Sequence, residues 1–209
     1  MSTPFLTAQW RSLVMLNYEV DPAILQPFVP RGTELDAWNG QTFVSAVGFL
    51  FWQTRVASVM VPRHANFEEV NLRFYVRRRT GNEWRRGGTF LREIVPRRAI
   101  AAIANALYNE RYCALPMRHD VALEAPAGHA EYSWRWRGEW HRLRAEAAGP
   151  WRDWEEGSLV EFITEHYYGY TAQRDGGCLE YRVEHPRWRF KPATQTRFEC
   201  DVKTLYGAE

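Results

Sequence analysis

The chain has 209 residues, of which 45% are hydrophobic, 15% aromatic and 25% charged, values that fit a folded globular protein rather than a disordered or fibrous one. Its formal net charge is only +2, so no overall field selects for nucleic acid or for an anionic membrane surface. The three cysteines, Cys113, Cys178 and Cys200, are widely spaced and form no CxxC pair or disulfide framework, so we expect a reducing environment.

The sequence pattern contains no targeting or membrane signal. The first residues lack the basic segment and long apolar core of a signal peptide. The longest apolar run, near residues 43–52, is interrupted by Ser45 and Gly48 and is too short to cross a bilayer. Linkers, repeats and shifts in composition are also missing. We therefore expect a cytoplasmic protein with no membrane partner, folded as a single domain over residues 1–209.

Alternating apolar and polar residues in the first half predict strands at residues 9–20, 42–56, 66–76 and 89–95. Asp21-Pro22 predicts the start of a short helix, and Asn39-Gly40 predicts a tight turn. The basic residues 77–86, which include Trp84, separate the last two strands. A basic run of this kind can bind phosphate, but a solvated hairpin tip is the simpler interpretation, so we expect no nucleic-acid partner.

The second half begins with a helix opened by Pro96, followed by several strands. Predicted strands occupy residues 119–124, 131–137, 140–146, 167–174, 179–185 and 196–202. Between the third and fourth of these, Ser158 and Glu161 have the spacing of a capping box ahead of a short helix. Many strands with a few short helices predict an α+β fold built on an antiparallel sheet.

Residues 66–76 have the most regular pattern in the chain. Strand side chains alternate between two faces, and here an apolar row lies opposite a polar row. The apolar row is Val70, Leu72, Phe74 and Val76, and the polar row is Glu69, Asn71, Arg73 and Tyr75. The polar row either faces water or lines a cavity in a closed or strongly curved sheet. Glu69 and Arg73 would pair in both cases, so a purely structural ion pair is an alternative to a functional role.

Several segments together resemble the YqjF-like family of proteins of unknown function, over nearly the whole length of the chain. They are residues 6–11, 29–36, 66–76, 111–116, 165–167 and 185–188. Proteins of this family are similar to the acetoacetate-decarboxylase-like superfamily. The resemblance implies that the α+β chain forms a curved antiparallel sheet closing into a cone-shaped β-barrel, with a few short helices and an interior small-molecule pocket.

The more distant resemblance can be carried over residue by residue. Arg11 stands at the family's spacing from Tyr18 in the first strand, and Glu69 matches a glutamate that lines the family's pocket. Where the family has two lysines after a proline, the first of which forms a Schiff base, this chain has Met117 and Arg118. Methionine has no amine and arginine stays protonated, so we predict that Schiff-base decarboxylation is absent.

We therefore expect a pocket for a small oxo-acid, enol or similar anionic or aromatic molecule. The candidate general acid or base is Glu69, and the candidate ligand-binding residues are Arg11, Asn71, Arg73, Tyr75, Met117 and Arg118. Lyase, hydratase or proton-transfer chemistry fits this set. A non-catalytic ligand-binding protein, acting as a sensor or carrier, is the alternative. The six histidines are scattered, so we expect no metal and no cofactor; a homodimer is left open.

Overall fold

The computed structural model describes residues 6–56, 59–60, 64–124 and 127–207. The strands are β1 (Leu6–Val20), β2 (Glu34–Leu35), β3 (Thr42–Val56), β4 (Val59–Met60), β5 (Phe67–Thr80), β6 (Glu83–Val95), β7 (Tyr112–Ala114), β8 (Met117–Ala122), β9 (Ala127–Trp136), β10 (Glu139–Ala148), β11 (Tyr168–Ala172), β12 (Cys178–Arg182) and β13 (Ala193–Glu199). The helices are α1 (Pro22–Leu25), α2 (Arg98–Tyr108), α3 (Leu159–Thr164) and α4 (Val202–Tyr206), with a 3-10 turn at Gln26–Phe28.

The strands form two sheets. The larger sheet has the order β1-β3-β5-β6-β11-β12, and the short strands β2, β4 and β7 pair with β5, β3 and β6. The smaller sheet has the order β13-β10-β9-β8. Neighbouring strands are antiparallel, except that β7 and β11 each run parallel to β6. The mixed α+β content is therefore as predicted.

The predicted cone-shaped β-barrel is wrong. The larger sheet ends at β1 and β12, which do not pair with each other, and the smaller sheet ends at β13 and β8. Over the part of the chain that the structure describes, neither sheet closes on itself. Because two separate sheets bury their apolar faces against each other, the fold can cover its core without the ring of hydrogen bonds that a barrel requires.

The main core lies between the two sheets. It contains the apolar row of β5, with Val70, Phe74 and Val76 completely buried. From the smaller sheet, Tyr132 and Trp134 are equally buried. Gly48 on β3 allows this close packing, because a Cβ atom at that position would lie 2.6 Å from Tyr132 Cδ2.

The opposite face of β5 carries the polar row and is also covered. Glu69, Asn71 and Tyr75 are at most 3% exposed. Tyr75 packs with Phe162 of α3 in a second, smaller apolar cluster. The predicted alternation of residues 66–76 is therefore confirmed, and the polar row faces the protein rather than water.

Several local predictions agree with the structure, and others are displaced by a few residues. Asn39 and Gly40 have φ values of 51° and 84°, the left-handed conformation that a tight turn needs. Ser158 caps α3 by accepting a hydrogen bond from Glu161 N. The last strand, predicted at residues 196–202, is displaced: β13 covers Ala193–Glu199, and Val202 begins α4, whose Leu205 is fully buried in the main core.

Among the helices of the described residues, none is both long enough and apolar enough to cross a bilayer.

Candidate functional site

The polar row of β5 lies beside acidic and phenolic groups from other elements. Asn71 on β5 is paired in register with Glu93 on β6. Glu110 follows α2, whose C-cap Asn109 has the left-handed φ of 54° that ends a helix. Tyr112 on β7 is fixed by Asn105 of α2, whose side chain bonds to both the N–H and the C=O of Tyr112 at 2.8 and 3.0 Å.

Glu69, Glu93 and Glu110 form an acidic cluster in which burial opposes ionisation. Glu69 accepts hydrogen bonds from Asn71 Nδ2 at 2.9 Å and from Tyr112 Oη at 3.1 Å. Burial nevertheless raises the pKa of Glu69 to about 7, because the desolvation of the carboxylate outweighs these bonds. Burial and the negative charges of Glu110 and Glu69 raise the pKa of Glu93 well above its ordinary value. Burial also raises the pKa of Glu110. Burial therefore favours the protonated forms of these carboxyl groups.

A small pocket lies next to this cluster. Its volume is about 30 Å³, and its lining is Trp10, Arg73, Gly88, Phe90, Thr164, His166, Tyr168, Gly169, Tyr181, Val183, His185 and Trp188. Space of this size holds about two water molecules. Gly169 is paired across the strands with Tyr181, and a Cβ atom at Gly169 would overlap the Tyr181 ring. The glycine therefore allows the phenol to reach the pocket.

Arg73 and His166 bring unused hydrogen-bonding atoms to this pocket. Arg73 Nη2 donates to Ile163 O at 3.4 Å, while its buried Nε has no partner among the described residues. Burial lowers the pKa of His166 to about 4, so its imidazole is neutral at pH 7. Its Nε2 lies 3.4 Å from Asp36 Oδ2, and neither ring nitrogen has a hydrogen-bond partner in the described parts of the chain. Buried groups of this kind are ready to bind a ligand or water.

Aromatic rings make up part of the pocket lining. The ring of His185 is stacked between Trp188 and Tyr167, with centroid separations of 4.0 and 4.8 Å. Trp10 lies 5.9 Å from Trp188. Trp10, His185 and Trp188 form an aromatic wall of the pocket that Arg73 also lines.

The structure brings together some of the predicted site residues and separates others. Glu69, Asn71, Arg73 and Tyr75 lie on one face of β5, but among these four predicted site residues only Arg73 lines the pocket. Arg11 is exposed, donates to Gln9 and lies over the Trp52 ring at 4.8 Å. Its spacing from Tyr18 therefore does not direct it to the site.

Met117 and Arg118 lie on β8 of the smaller sheet. Met117 packs against the main core, and Arg118 is exposed over the Trp140 ring at 4.2 Å. Neither residue lines the pocket beside Arg73. The two positions that correspond to the family's lysines are thus placed apart from the polar row of β5.

The predicted pairing of Glu69 with Arg73 is wrong, because each side chain has other partners. Glu69 accepts hydrogen bonds from Asn71 and Tyr112, and the positive charge of Arg73 lowers the pKa of Glu69 without a bond between them. Arg73 bonds to Ile163 instead. The strand fixes both side chains without a direct contact between them.

Sequence reasoning missed His166, Tyr181, Glu93 and Glu110. Glu93 could have been found, because it lies on a predicted strand that follows the β5 hairpin. The other three follow helices or lie on β12, and no local spacing indicates that they meet. The described residues contain no group of three His, Cys, Asp or Glu side chains placed to hold a metal ion.

Comparison with solved structures defines the class of fold, which is acetoacetate-decarboxylase-like. The acetoacetate decarboxylase from Legionella pneumophila matches with a TM-score of 0.64 at 13% identity, covering 97% of this chain and 78% of that chain. An acetoacetate decarboxylase-like enzyme from Sphingomonas wittichii RW1 matches at 0.54 and 15%, covering 76% and 61%. The enduracididine biosynthesis enzyme MppR complexed with pyruvate matches at 0.54 and 13%, covering 84% and 63%. At these identities the likeness establishes the fold alone.

Comparison of sequences then defines the family. The model of DUF2071, described as an uncharacterized conserved protein, matches residues 7–209, and the chain belongs to this family. It is also 26% identical over 200 residues to the uncharacterized protein YqjF of Bacillus subtilis (strain 168), covering 95% of this chain and 79% of YqjF. The resemblance inferred from the sequence is confirmed.

Proposed function

We propose that this protein binds a small carboxylate of the 2-oxo-acid class in the pocket beside Arg73, and that the acidic cluster transfers a proton to or from the bound molecule. The observation that carries the proposal is the buried Arg73 Nε, which has no hydrogen-bond partner in the described residues although it belongs to a pocket-lining side chain. A guanidinium binds a carboxylate through two parallel hydrogen bonds, and poor solvation strengthens them.

The 2-oxo group would be bound by two neutral donors. His166 is uncharged at neutral pH, and burial raises the pKa of Tyr181 well above its ordinary value, so its phenol keeps the proton. Both side chains line the pocket with Arg73. The structural neighbour MppR is described as complexed with pyruvate, which is itself a 2-oxo acid. This supports the choice of ligand class.

The chemistry would be proton transfer next to a carbonyl, as in lyase or hydratase reactions. A pKa of about 7 leaves Glu69 divided between its two protonation states at neutral pH, which suits an acid–base group. Tyr181 would connect the pocket with the cluster. It lines the pocket, and the negative charges of Glu110, Glu93 and Glu69 raise its pKa. Hydrogen bonds to the ketone oxygen would acidify the neighbouring C–H bond.

A Schiff base is not part of this proposal. The chain has two lysines, Lys191 and Lys203. Lys191 lies over the Trp151 ring and Lys203 lies in the last turn of α4. Both are described residues, and neither lines the pocket.

The size of the pocket sets a condition on binding. With a volume of about 30 Å³, it holds water but not an organic acid. A ligand must therefore displace part of the wall formed by His185 and Trp188. These two rings belong to a stretch without regular secondary structure, so they can move more easily than β5 or β6.

Calorimetric titration with pyruvate tests the binding proposal. We expect Arg73→Gln to weaken binding by about 10- to 100-fold, because the carboxylate loses its charged partner. Arg77→Gln is the matched control, since Arg77 lies on the same strand and pairs with the exposed Glu34 at 2.7 Å. Pyruvate binding that is equal in wild type and Arg73→Gln would overturn the proposal.

A non-catalytic carrier or sensor is the second candidate, favoured by the position of Glu69 behind the pocket lining. Nuclear magnetic resonance of pyruvate in D2O distinguishes the two functions. An enzyme of the proposed kind speeds the exchange of the pyruvate methyl protons, and Glu69→Gln slows that exchange by about 100-fold while pyruvate still binds. Tight binding with no acceleration of exchange in the wild type would favour the carrier.

A further inference from the structure

The larger sheet opens into a gap between β6 and β11. These strands run parallel and pair only where Gly87 and Gly88 of β6 meet Tyr168 and Gly169 of β11. The next pairs of β6 on this side are with β7 and begin at Glu93. In the described chain, the intervening residues of β6 therefore have no strand beside them, and side chains fill the space.

A second pocket occupies this gap. Its volume is about 20 Å³, and its lining is Phe28, Thr89, Phe90, Arg111, Tyr170, Thr171 and Ala172. The pocket beside Arg73 is lined by residues that directly precede these on the same two strands, namely Gly88, Tyr168 and Gly169. Phe90 lines both pockets. The two pockets are therefore neighbours along the gap, and the Phe90 side chain lies where they meet.

The second pocket contains a hydroxyl and a guanidinium without partners. The Thr89 residue is only 6% exposed, and its hydroxyl has no hydrogen-bond partner among the described residues. Arg111 lies over the Phe28 ring at 6.0 Å and belongs to none of the ion pairs of the described residues. Both groups donate hydrogen bonds, and a carboxylate accepts from both. The second pocket is thus suited to a carboxylate.

An acidic side chain also lies near the second pocket. Glu110 Oε1 accepts a hydrogen bond from Thr171 Oγ1 at 2.7 Å, so the Thr171 hydroxyl is already engaged. The negative charge of Glu110 opposes a bound anion, and the positive charge of the adjacent Arg111 offsets it. The donors that remain for a ligand are therefore Arg111 and Thr89.

We propose that the second pocket binds a second carboxylate, so that the molecule held by the two pockets together is a 2-oxo dicarboxylic acid. Arg73 binds the carboxylate next to the ketone, and Arg111 binds the far carboxylate together with the Thr89 hydroxyl. The inference rests on the proposed function for the first carboxylate and adds the substrate class. An acid with one carboxylate, such as pyruvate, occupies the first pocket alone.

Phe90 determines whether the two pockets join. Their volumes, about 30 and 20 Å³, hold only water, so the carbon chain of a dicarboxylic acid requires the Phe90 ring to turn aside. Phe90 is half-buried and lies at a bulge, because Arg73 pairs with Phe90 while Leu72 pairs with Arg92. Bulges redirect side chains beside functional sites. The smaller side chain of Phe90→Leu should therefore tighten the binding of 2-oxoglutarate relative to that of pyruvate.

Calorimetric titration with a matched pair of ligands tests the second subsite. 2-Oxoglutarate has two carboxylates, and 5-methyl-2-oxohexanoate has an uncharged isopropyl group of similar shape in place of the far one. Both molecules present the same group to Arg73, so the ratio of their dissociation constants reports the far end alone. We expect the wild type to prefer 2-oxoglutarate by at least about tenfold, and Arg111→Gln to remove most of this preference. Thr89→Val should lower the preference about threefold.

Arg118→Gln is the charge control. Arg118 is likewise exposed over an aromatic ring, at 4.2 Å from that of Trp140, but it lies on β8 of the smaller sheet. Its loss should leave the preference for 2-oxoglutarate as in the wild type.

Equal affinities of the wild type for the two ligands would overturn the inference. So would a preference that Arg111→Gln leaves unchanged. Pyruvate binding that depends on Arg73 would, in either case, keep the proposed function. Failure of pyruvate and of both longer acids to bind would contradict the proposed function and the inference together.

Discussion

Arg73 and His166 line one pocket, and both have buried nitrogens that lack hydrogen-bond partners in the described residues. Leaving such a group unsatisfied costs about 1–3 kcal/mol, so a protein retains it where a ligand or water completes the bond. The neutral state of His166 follows from burial, assisted by the positive charges of Arg86 and Arg73. The two side chains therefore differ in charge although they share one pocket.

Glu69 provides a residue-scale prediction about the pH dependence of stability. Its folded pKa of about 7 exceeds the ordinary value of 4.5, so the folded state binds the proton more tightly than the unfolded state. The free energy of unfolding should therefore fall as pH rises from about 5 to about 8. In Glu69→Gln this fall should be smaller, by an amount on the order of 1–3 kcal/mol. Urea unfolding at both pH values measures it.

The slope with pH is the diagnostic quantity, because glutamine also changes the bonds to Asn71 and Tyr112 and so changes the absolute stability. Glu34→Gln, at an exposed carboxylate paired with Arg77, is the surface control. Some decrease should remain in Glu69→Gln, since burial raises the pKa values of Glu93 and Glu110 in the same direction. An identical pH dependence in the wild type and in Glu69→Gln would show that Glu69 titrates normally.

At the scale of elements, β5 separates two environments. Its even-numbered apolar residues pack against the smaller sheet, and its odd-numbered residues face α3, Tyr112 and the pocket. A shift of one residue in register would exchange the two sets, so the alternation fixes the register strongly. The site therefore depends on the same pairing that builds the core.

Gly48 gives an element-scale prediction about the contact between the sheets. In Gly48→Ala the new methyl would lie 2.6 Å from Tyr132 Cδ2 and 3.1 Å from Leu143 Cδ2, so the sheets must move apart. We expect a loss of about 1–3 kcal/mol in the free energy of unfolding, measured in urea. Gly88→Ala, whose Cβ would have no neighbour closer than 3.8 Å, should change stability by less than about 0.5 kcal/mol. Equal losses in both variants would contradict the packing described.

The sequence predicted local features of these elements well. The alternation of residues 66–76, the Asn39-Gly40 turn and the Ser158 cap all depend on neighbours within a few positions, and all three are present. Placement across the sheets was not predictable in this way. By the resemblance, Arg11 has the family's spacing from Tyr18, and Arg118 stands where the family has a lysine. Spacing along the chain, however, does not determine which face of which sheet a side chain occupies.

At the scale of the whole molecule, the predicted closed barrel failed because closure depends on one long-range pairing. Residues of β1 and β12 are more than 150 positions apart, and no local pattern encodes whether they meet. The larger sheet stays open in the described chain, and the aromatic wall around His185 and Trp188 covers the pocket. The site is thus enclosed by packed side chains rather than by a continuous ring of strands.

The partners of the basic residues 77–86 also become visible only in the folded molecule. Arg78 and Arg85 pair with Glu180, and Arg86 pairs with the buried Asp36. Their charges are largely compensated, which favours the hairpin interpretation over a phosphate-binding surface. The absence of a nucleic-acid partner, the homodimer and the cytoplasmic location remain predictions.

A crystal structure of the protein grown with pyruvate tests the central claim most directly, namely that the covered polar face of β5 faces a ligand site. We predict density for pyruvate with its carboxylate on the Arg73 guanidinium, its ketone oxygen near His166 or Tyr181, and the rings of His185 and Trp188 displaced. Pyruvate bound elsewhere, or a pocket that still holds only water at saturating pyruvate, would contradict the claim.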